Sequence, residues 1–237
     1  MVEKITFVLT SCGRFDLLER TLASFLATND YPIQRYLLIE DSGDAGVFAM
    51  RARFPGVPLE ICLNNPPLGQ MKSIDKAYAT ITTEYIFHCE DDWLFTKPGI
   101  IAESLVLLRA FPQVVMVLPR SPSGPVDSVE NGVRFRLVDQ KSHHLFGGFS
   151  FNPGLRRLAD YRRIPAYAAL GSEGAVSVAY KRLGFQMASL EEGGVIHIGD
   201  NRTIPRRARG FAAAVRRLQA SITSRVAHYW WLMWTRR

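Results

Sequence analysis

Apolar runs of strand length alternate with segments of helical periodicity through the first half of the chain. Residues 5–10 form a β-branched apolar run, and positions 18, 22, 25 and 26 then carry apolar side chains at helical spacing. The same order recurs, with strands predicted at 36–39, 57–63, 85–89 and 114–118 and helices predicted around 47–53, 74–81 and 101–108. This alternation predicts an α/β fold, in which a mostly parallel, Rossmann-like sheet is flanked by helices.

Each of the first four predicted strands runs into a cluster of polar residues. These clusters occupy residues 10–14, 40–42, 64–65 and 90–92. The carboxyl ends of parallel strands lie at one edge of a sheet, where open α/β sheets bind their ligands. The pattern therefore predicts that the four clusters form a single site.

The acid triplet Glu90, Asp91 and Asp92 follows an apolar strand directly. Crowding carboxylates raises the cost of ionising them unless a cation lies between them. Mg²⁺ and Mn²⁺ prefer hard oxygen ligands and take the rest of their shell from water and phosphates. The triplet thus predicts a metal–diphosphate site. The alternative is an acidic turn at the start of the helix that begins near Pro98.

The pattern changes after residue 119. Residues 121–132 are rich in Pro, Gly and Ser and have the length of a lid or a poorly ordered loop. An antiparallel strand is expected at 133–138, a strand running into a turn at 147–153, a helix at 172–183 and a short strand at 195–198. We therefore predict one domain over 1–200, with a first half at 1–119 and a smaller, partly antiparallel half at 120–200.

Charge separates residues 201–237 from the rest of the chain. The net charge is +7, but nine of the 29 basic residues and none of the 22 acidic ones lie in 201–237, so residues 1–200 carry −2. A nucleic-acid-binding protein would spread basic surface over its domain, so we expect no nucleic-acid partner. Three cysteines without CxxC spacing favour reduced thiols and a cytoplasmic location.

The segment 201–237 is predicted to form a basic, aromatic amphipathic helix. An apolar stripe recurs at three- and four-residue intervals from 215 to 233, while three tryptophans and several arginines lie on other faces. Arginine and tryptophan together suit an anionic membrane interface, which predicts peripheral contact with the inner membrane face. The alternative is a helix that packs on the rest of the chain or on a second copy in a homo-oligomer.

The motifs and their order resemble family 2 glycosyltransferases of the GT-A fold over residues 3–200. The resemblance is carried by the first strand with Arg14 and Leu18, the 40–43 turn, the 65–69 segment with its helix, and the acid triplet. It implies transfer of a sugar from a UDP- or GDP-sugar to a saccharide or lipid-linked acceptor, usually with inversion. It also implies a Mn²⁺ or Mg²⁺ ion at a DXD-type motif.

The same resemblance assigns residues to the donor and the metal. Asp41 would accept a hydrogen bond from the base, and Gly69 would let the backbone approach the donor. Asp92 would bind the metal directly, with Glu90 at the first DXD position, where glutamate departs from the usual aspartate. His197 would complete the shell, or else is a structural histidine. The residues expected at the donor are Thr10, Ser11, Arg14, Asp41, Gly69, Asp75, Glu90 and Asp91.

The second half is expected to supply the base and the acceptor contacts. Glu173, an acid between glycines at a helix start, is the candidate base, although Ser172 and Glu173 could simply cap that helix. Trp93 could stack on a ring or lie in the core. Asn152 and Arg156 could contact the acceptor, with a solvated helix start as the alternative for the arginine.

Two other functions share parts of this pattern. A sugar-nucleotide pyrophosphorylase would have a glycine-rich first turn with a basic signature, whereas residues 10–15 contain one glycine. A noncatalytic carbohydrate-binding or scaffold protein could keep the same fold. A dinucleotide dehydrogenase is disfavoured because no GxGxxG follows the first strand.

Overall fold

A computed structural model describes residues 2–122, 125–126, 128–139, 147–199 and 202. The predicted C-terminal helix lies outside these residues, apart from Arg202. No helix within the described ranges combines the length and the apolar character needed to cross a bilayer.

The first half alternates strands and helices as the sequence predicts, and the five strands expected there are confirmed. Its strands are β1 (Ile5–Ser11), β2 (Arg35–Glu40), β3 (Leu59–Leu63), β4 (Tyr85–Glu90), β5 (Trp93–Phe95) and β6 (Val114–Leu118). Its α-helices are α1 (Phe15–Thr28), α2 (Ala49–Arg53), α3 (Gln70–Tyr78) and α4 (Ile100–Ala110), with a 3-10 helix at Ala45–Phe48.

The second half contributes shorter elements. Its strands are β7 (Ser128–Glu130), β8 (Val133–Leu137), β9 (Gly154–Arg157), β10 (Gln186–Leu190) and β11 (Val195–His197). Its helices are α5 (Leu158–Tyr161), α6 (Tyr167–Leu170) and α7 (Glu173–Arg182).

Both halves build one nine-stranded sheet in the order β3-β2-β1-β4-β9-β6-β10-β8-β7. Strands β3, β2, β1 and β4 are parallel, whereas β9 runs antiparallel to both β4 and β6. Strand β8 is antiparallel to β10, and β5 pairs with β11 in a separate two-stranded sheet. The expected α/β architecture is therefore confirmed.

The strand predicted at 147–153 is wrong, because pairing starts only at Gly154. Pro153 has no N–H to donate to a neighbouring strand, which disfavours it inside a central strand. A Cβ added at Gly154 would lie 2.5 Å from the Val117 carbonyl oxygen, so only glycine allows β9 to approach β6 here. Strand β10, which the sequence pattern did not predict, pairs with β6 on the side opposite β9.

Helices cover the sheet on both faces and bury two apolar clusters. Leu18, Leu22 and Phe25 of α1 pack with α4 residues on one face. Ile74 and Tyr78 of α3 pack with α6 and α7 residues on the other. Each fully buried large apolar side chain contributes roughly 1.5–3 kcal/mol to burial free energy. This packing holds the carboxyl ends of β1–β4 in fixed positions at one edge.

Candidate active site

The parallel register brings the exits of β1, β2 and β4 side by side. Thr10 lies opposite Glu90, and Ser11 lies opposite Glu40. Thr10 is nearly buried and donates its hydroxyl to the Cys89 carbonyl at 3.4 Å. The polar clusters of neighbouring strands therefore do share one edge of the sheet.

Asp91 is the most enclosed acid of the triplet and is paired with Arg14. Its side chain accepts a hydrogen bond from the Ser11 hydroxyl at 3.0 Å, and Nε of Arg14 lies 3.3 Å from the same oxygen, Oδ2. Nη2 of Arg14 contacts the other oxygen. Burial raises the pKa of Asp91 and the Arg14 charge opposes that rise. Asp91 therefore anchors the arginine at the exit of β1.

Asp92 is shared between Arg14 and His197. Nη1 of Arg14 lies 2.7 Å from Oδ2 of Asp92, and Nε2 of His197 lies 3.4 Å from the same oxygen. The pairing of β11 with β5 delivers the histidine, and the Ile198 amide donates to the Asp92 carbonyl at 2.8 Å. A carboxylate oxygen and an imidazole nitrogen thus meet at the sheet edge.

This pair fits a divalent cation that keeps an open coordination shell. Within the described ranges, no three or more His, Cys, Asp or Glu side chains form a metal-binding group. Asp92 and His197 offer one oxygen and one nitrogen, which leaves the other positions for water and phosphate oxygens. Mg²⁺ and Mn²⁺ sites at phosphate substrates commonly take one or two carboxylates from the protein and complete the shell with water and phosphate oxygens, so Asp92 is the ligand typical of these ions and His197 would add a nitrogen.

Glu90 contacts helix α3 and is affected by the charge of an acid from the second half of the chain. Its Oε1 accepts a hydrogen bond from the Gln70 side chain at 2.6 Å. Burial, the charge of Asp92 and the charge of Glu173 raise the pKa of Glu90 to about 8. Glu173 is therefore close enough to the triplet to act on its protonation.

Helix α7 is capped by Ser172, as the alternative interpretation expected, but Glu173 does more than begin the helix. The Ser172 hydroxyl accepts a hydrogen bond from the Ala175 amide at 3.1 Å. Oε1 of Glu173 accepts from the Ser150 hydroxyl at 2.8 Å and from the Phe151 amide at 3.0 Å. These two bonds fix the Glu173 carboxylate against the loop that contains Asn152.

Asp41 fixes the loop between β3 and α3. Its carboxylate accepts hydrogen bonds from the Leu68 and Gly69 amides, both at 2.7 Å. The Asn64 side-chain amide and the Ser73 hydroxyl donate to it at 3.0 and 2.9 Å. Gly69 has φ 89°, a conformation that favours glycine. Asp41 thus shapes the loop beside the β2 exit, and its hydrogen bond to a base stays a prediction.

Asp75 connects α3 to α6. Its carboxylate accepts from the Tyr161 hydroxyl at 2.8 Å and from the Tyr167 and Ala168 amides at 3.0 and 2.8 Å. These bonds satisfy the first amides of a four-residue helix. They give Asp75 a structural role, and its contact with a donor stays a prediction.

Two residues expected at the acceptor are buried. Trp93 is 3% exposed and belongs to the core, with its ring centroid 5.0 Å from that of His197. Arg156 is 2% exposed and lies in β9, with its guanidinium 4.9 Å from the Phe149 ring centroid. The solvated helix start proposed as the alternative for Arg156 is therefore wrong. The acceptor roles of both residues stay predictions.

The structure gives specific contacts to two residues for which the sequence predicted no individual role, Glu40 within the 40–42 cluster and Gly199 outside the predicted clusters. Oε1 of the fully buried Glu40 accepts from the Gly13 and Ser42 amides at 2.9 and 2.7 Å, which ties the β1 and β2 exits together. A Cβ on Gly199 would lie 2.4 Å from Oδ2 of Asp92. An acid at a strand end offers a sequence signal for Glu40, but Gly199 depends on contacts distant in sequence.

No protein-family model and no curated protein sequence matches the chain. Similar solved structures include a mannosyltransferase from Pyrobaculum calidifontis in complex with GDP-Man and Mn²⁺ (15% identity, TM-score 0.64, 94% of this chain and 63% of that chain). Another is GalNAc-T7 with UDP, GalNAc and Mn²⁺ (11% identity, TM-score 0.65, 92% of this chain and 48% of that chain). A third is S. aureus TarS 1-349 (12% identity, TM-score 0.59, 81% of this chain and 59% of that chain).

The chain thus spans about half to two thirds of the length of these three structures. Identities of 11–15% support likeness in fold alone. The strand order, the helices on both faces and these matches lead to one conclusion: the chain has the GT-A fold.

Proposed function

We propose that the chain is a metal-dependent, inverting glycosyltransferase that moves a sugar from a nucleoside-diphosphate donor to an acceptor hydroxyl. One observation carries the proposal. Glu173, from the second half of the chain, is held by two hydrogen bonds and acts electrostatically on Glu90 at the end of β4. The charge of an acid from the second half thus acts on an acid at the edge where α/β sheets bind ligands, which supports placing both at one site.

In this proposal the donor lies across the ends of β1–β4. Thr10, Ser11 and Arg14 would face the nucleotide, and the loop shaped by Asp41 and Gly69 would lie beside the base. Asp92 and His197 would hold the divalent cation, with Glu90 next to them. When bound, Mn²⁺ or Mg²⁺ supplies Lewis-acid stabilisation of the negative charge on the departing diphosphate.

Glu173 would act as the general base. Its carboxylate would take the proton of the acceptor hydroxyl while that oxygen forms a bond to the anomeric carbon. The bond from this carbon to the diphosphate oxygen breaks at the same time, and its electron pair leaves with the nucleoside diphosphate. Attack opposite the leaving group inverts the anomeric centre. The hydrogen bonds from Ser150 and Phe151 hold Oε1, so Oε2 is the oxygen that we assign to the proton.

Asn152 and Arg156 would act on the acceptor side. Asn152 lies next to the base, since its backbone N–H donates at 3.2 Å to the same Ser150 hydroxyl that contacts Glu173. Arg156, being buried, would act by positioning this loop, because its Nη2 lies 3.5 and 3.4 Å from the Ser150 and Asn152 carbonyls. The acceptor itself would be a saccharide or a lipid-linked saccharide.

A screen of UDP- and GDP-sugars for Mn²⁺-dependent donor hydrolysis tests the proposal. For the donor found, Glu173→Gln should lower turnover by about 10²–10⁴ while nucleotide binding by calorimetry stays near that of the wild type. Asp92→Asn should abolish Mn²⁺-dependent nucleotide binding. Glu192→Gln, at an exposed acid that pairs with Lys97, is the control and should leave both readouts unchanged.

The outcomes separate the rival functions. Full turnover by Glu173→Gln would remove this residue as the base. Nucleotide binding without turnover of any donor would indicate a noncatalytic binding protein. Formation of a nucleotide sugar and pyrophosphate from a sugar phosphate and a nucleoside triphosphate would indicate a pyrophosphorylase.

A further inference from the structure

The guanidinium of Arg14 spans two carboxylates that differ in their surroundings. Asp91 is 1% exposed and is contacted by two nitrogens of Arg14, Nε and Nη2, and by the Ser11 hydroxyl. Asp92 is contacted by only one nitrogen of Arg14, Nη1, at 2.7 Å. The arginine is therefore anchored on Asp91 and reaches Asp92 with its remaining nitrogen.

The Asp92 oxygen that Arg14 reaches is also the one that faces His197. Nη1 of Arg14 and Nε2 of His197 lie 2.7 and 3.4 Å from Oδ2 of Asp92. A divalent cation held by Asp92 and His197 would thus be close to a positively charged guanidinium nitrogen. Like charges at such a separation in a partly buried site repel strongly. Arg14 and the cation therefore compete for Asp92.

Competition of this kind frees Nη1 without freeing the whole arginine. The contacts of Nε and Nη2 with Asp91 do not involve Asp92 and can persist when the cation binds. Nη1 would then be a charged donor at the exit of β1, beside the cation. A diphosphate held by the cation is the anion best placed to accept a hydrogen bond from Nη1, since guanidinium groups bind phosphate oxygens well.

Resting on the function proposed above, we infer that Arg14 is a counter-cation that pairs with Asp92 in the free protein. When the divalent cation binds to Asp92, Nη1 of Arg14 leaves this carboxylate and donates a hydrogen bond to the donor diphosphate. Two consequences follow. Arg14 weakens binding of the cation alone, and it strengthens the mutual dependence of cation and nucleoside-diphosphate binding. Arg14 is in this sense a positioning residue that couples two ligands.

The test measures Mn²⁺ affinity by electron paramagnetic resonance, with and without saturating UDP or GDP. Arg14→Gln should bind Mn²⁺ alone more tightly than the wild type, by about fivefold or more, and should show a smaller gain on adding the nucleotide. The nucleotide itself chelates Mn²⁺, so the difference in gain between variant and wild type is the informative quantity. Arg14→Lys keeps the charge beside Asp91 but has no planar fork to span both acids, so it should also bind Mn²⁺ alone more tightly than the wild type.

Arg202→Gln is the matched control for removal of a positive charge near the site. The Arg202 guanidinium pairs with Asp16 at 2.9 Å, whereas only its backbone carbonyl faces Arg14, at 3.4 Å. This variant should bind Mn²⁺ as the wild type does. Equal tightening in Arg202→Gln and Arg14→Gln, or no tightening in either Arg14 variant, would overturn the inference and leave the proposed function standing. Absence of both Mn²⁺ and nucleotide binding in every variant and in the wild type would overturn the proposed function as well.

Discussion

His197 and Asp92 come from opposite halves of the chain, yet Nε2 of the first lies 3.4 Å from Oδ2 of the second. The two-stranded sheet of β5 and β11 makes this meeting possible, because His197 pairs with Trp93, the neighbour of Asp92. Gly199 completes the arrangement by leaving room for the carboxylate. The pair therefore depends on backbone packing as much as on its own side chains.

Gly199→Ala should displace the Asp92 carboxylate. The new Cβ would lie 2.4 Å from Oδ2, so the carboxylate or the backbone has to move. We expect Mn²⁺ affinity to fall by about 10- to 100-fold, as when the support of a metal ligand is lost, and stability to fall by about 1–3 kcal/mol. Gly56→Ala is the control, since nothing lies within 4 Å of a Cβ there. Unchanged Mn²⁺ affinity in Gly199→Ala would argue against Asp92 as a ligand.

Glu90→Gln should stabilise the metal-free protein in a pH-dependent way. The folded-state pKa of Glu90 is raised from 4.5 to about 8, by burial first and then by the charges of Asp92 and Glu173. Between these two values the folded state holds more protons than the unfolded state, so this residue makes stability fall as pH rises.

The experiment compares thermal unfolding of wild type and Glu90→Gln in EDTA at pH 4.5, 6 and 8. The melting temperature of the variant should increasingly exceed that of the wild type as pH rises, and the two melting temperatures should converge near pH 4.5. Glu60→Gln, at an exposed acid that pairs with Arg35, serves as the reference. A constant difference between wild type and Glu90→Gln across this range would contradict the raised pKa.

Arg156→Met should stabilise the protein by about 1–3 kcal/mol, because burying a charge is costly and hydrophobic replacements of buried ions are often stabilising. Among the described residues, Nε and Nη1 of Arg156 have no hydrogen-bond partner. Arg157→Met should do the opposite. Arg157 donates to Asp160 at 2.6 Å and to the Val114 carbonyl at 2.9 Å, so its loss leaves buried acceptors unsatisfied. Urea unfolding measures whether each substitution raises or lowers the free energy of unfolding. Destabilisation by Arg156→Met would show that the charge of Arg156 is compensated in the folded protein.

The segment 201–237 should carry any affinity for membranes. The 237-residue chain is expected to float with liposomes that contain anionic lipid, and a version ending at Pro205 is expected to stay in the soluble fraction. Neutral liposomes provide the control for the arginine contribution. Equal flotation of both versions would reject the membrane interpretation and favour packing on protein.

The sequence predicted most of the first half well, because all of its strands except the three-residue β5 have a local signal. Residues 5–10 and 114–118 are continuous apolar runs, and the α1 and α3 positions recur at helical spacing. The edge location of the acid triplet followed from topology, since the ends of parallel strands meet. Local pattern and tertiary fold agree in this part of the chain.

The second half was harder because its strands are defined by their neighbours. Strand β9 spans only Gly154–Arg157 and carries two adjacent arginines, which gives it no apolar alternation. Its place in the sheet comes from pairing with β4 and β6, distant in sequence. The burial of Arg156 and the approach of Gly199 to Asp92 depend on such contacts too. Periodicity therefore could not have indicated either.

The insertion of β9 between β4 and β6 has a practical consequence for engineering. A chimera that exchanged the whole 120–199 region for that of another protein would replace a strand in the middle of the sheet and would have to repack both faces. Grafts confined to the loop ahead of β9 or to the start of α7 leave the pairing of β9 with β4 and β6 intact. Variants that test the proposed acceptor side should therefore begin with those two short stretches.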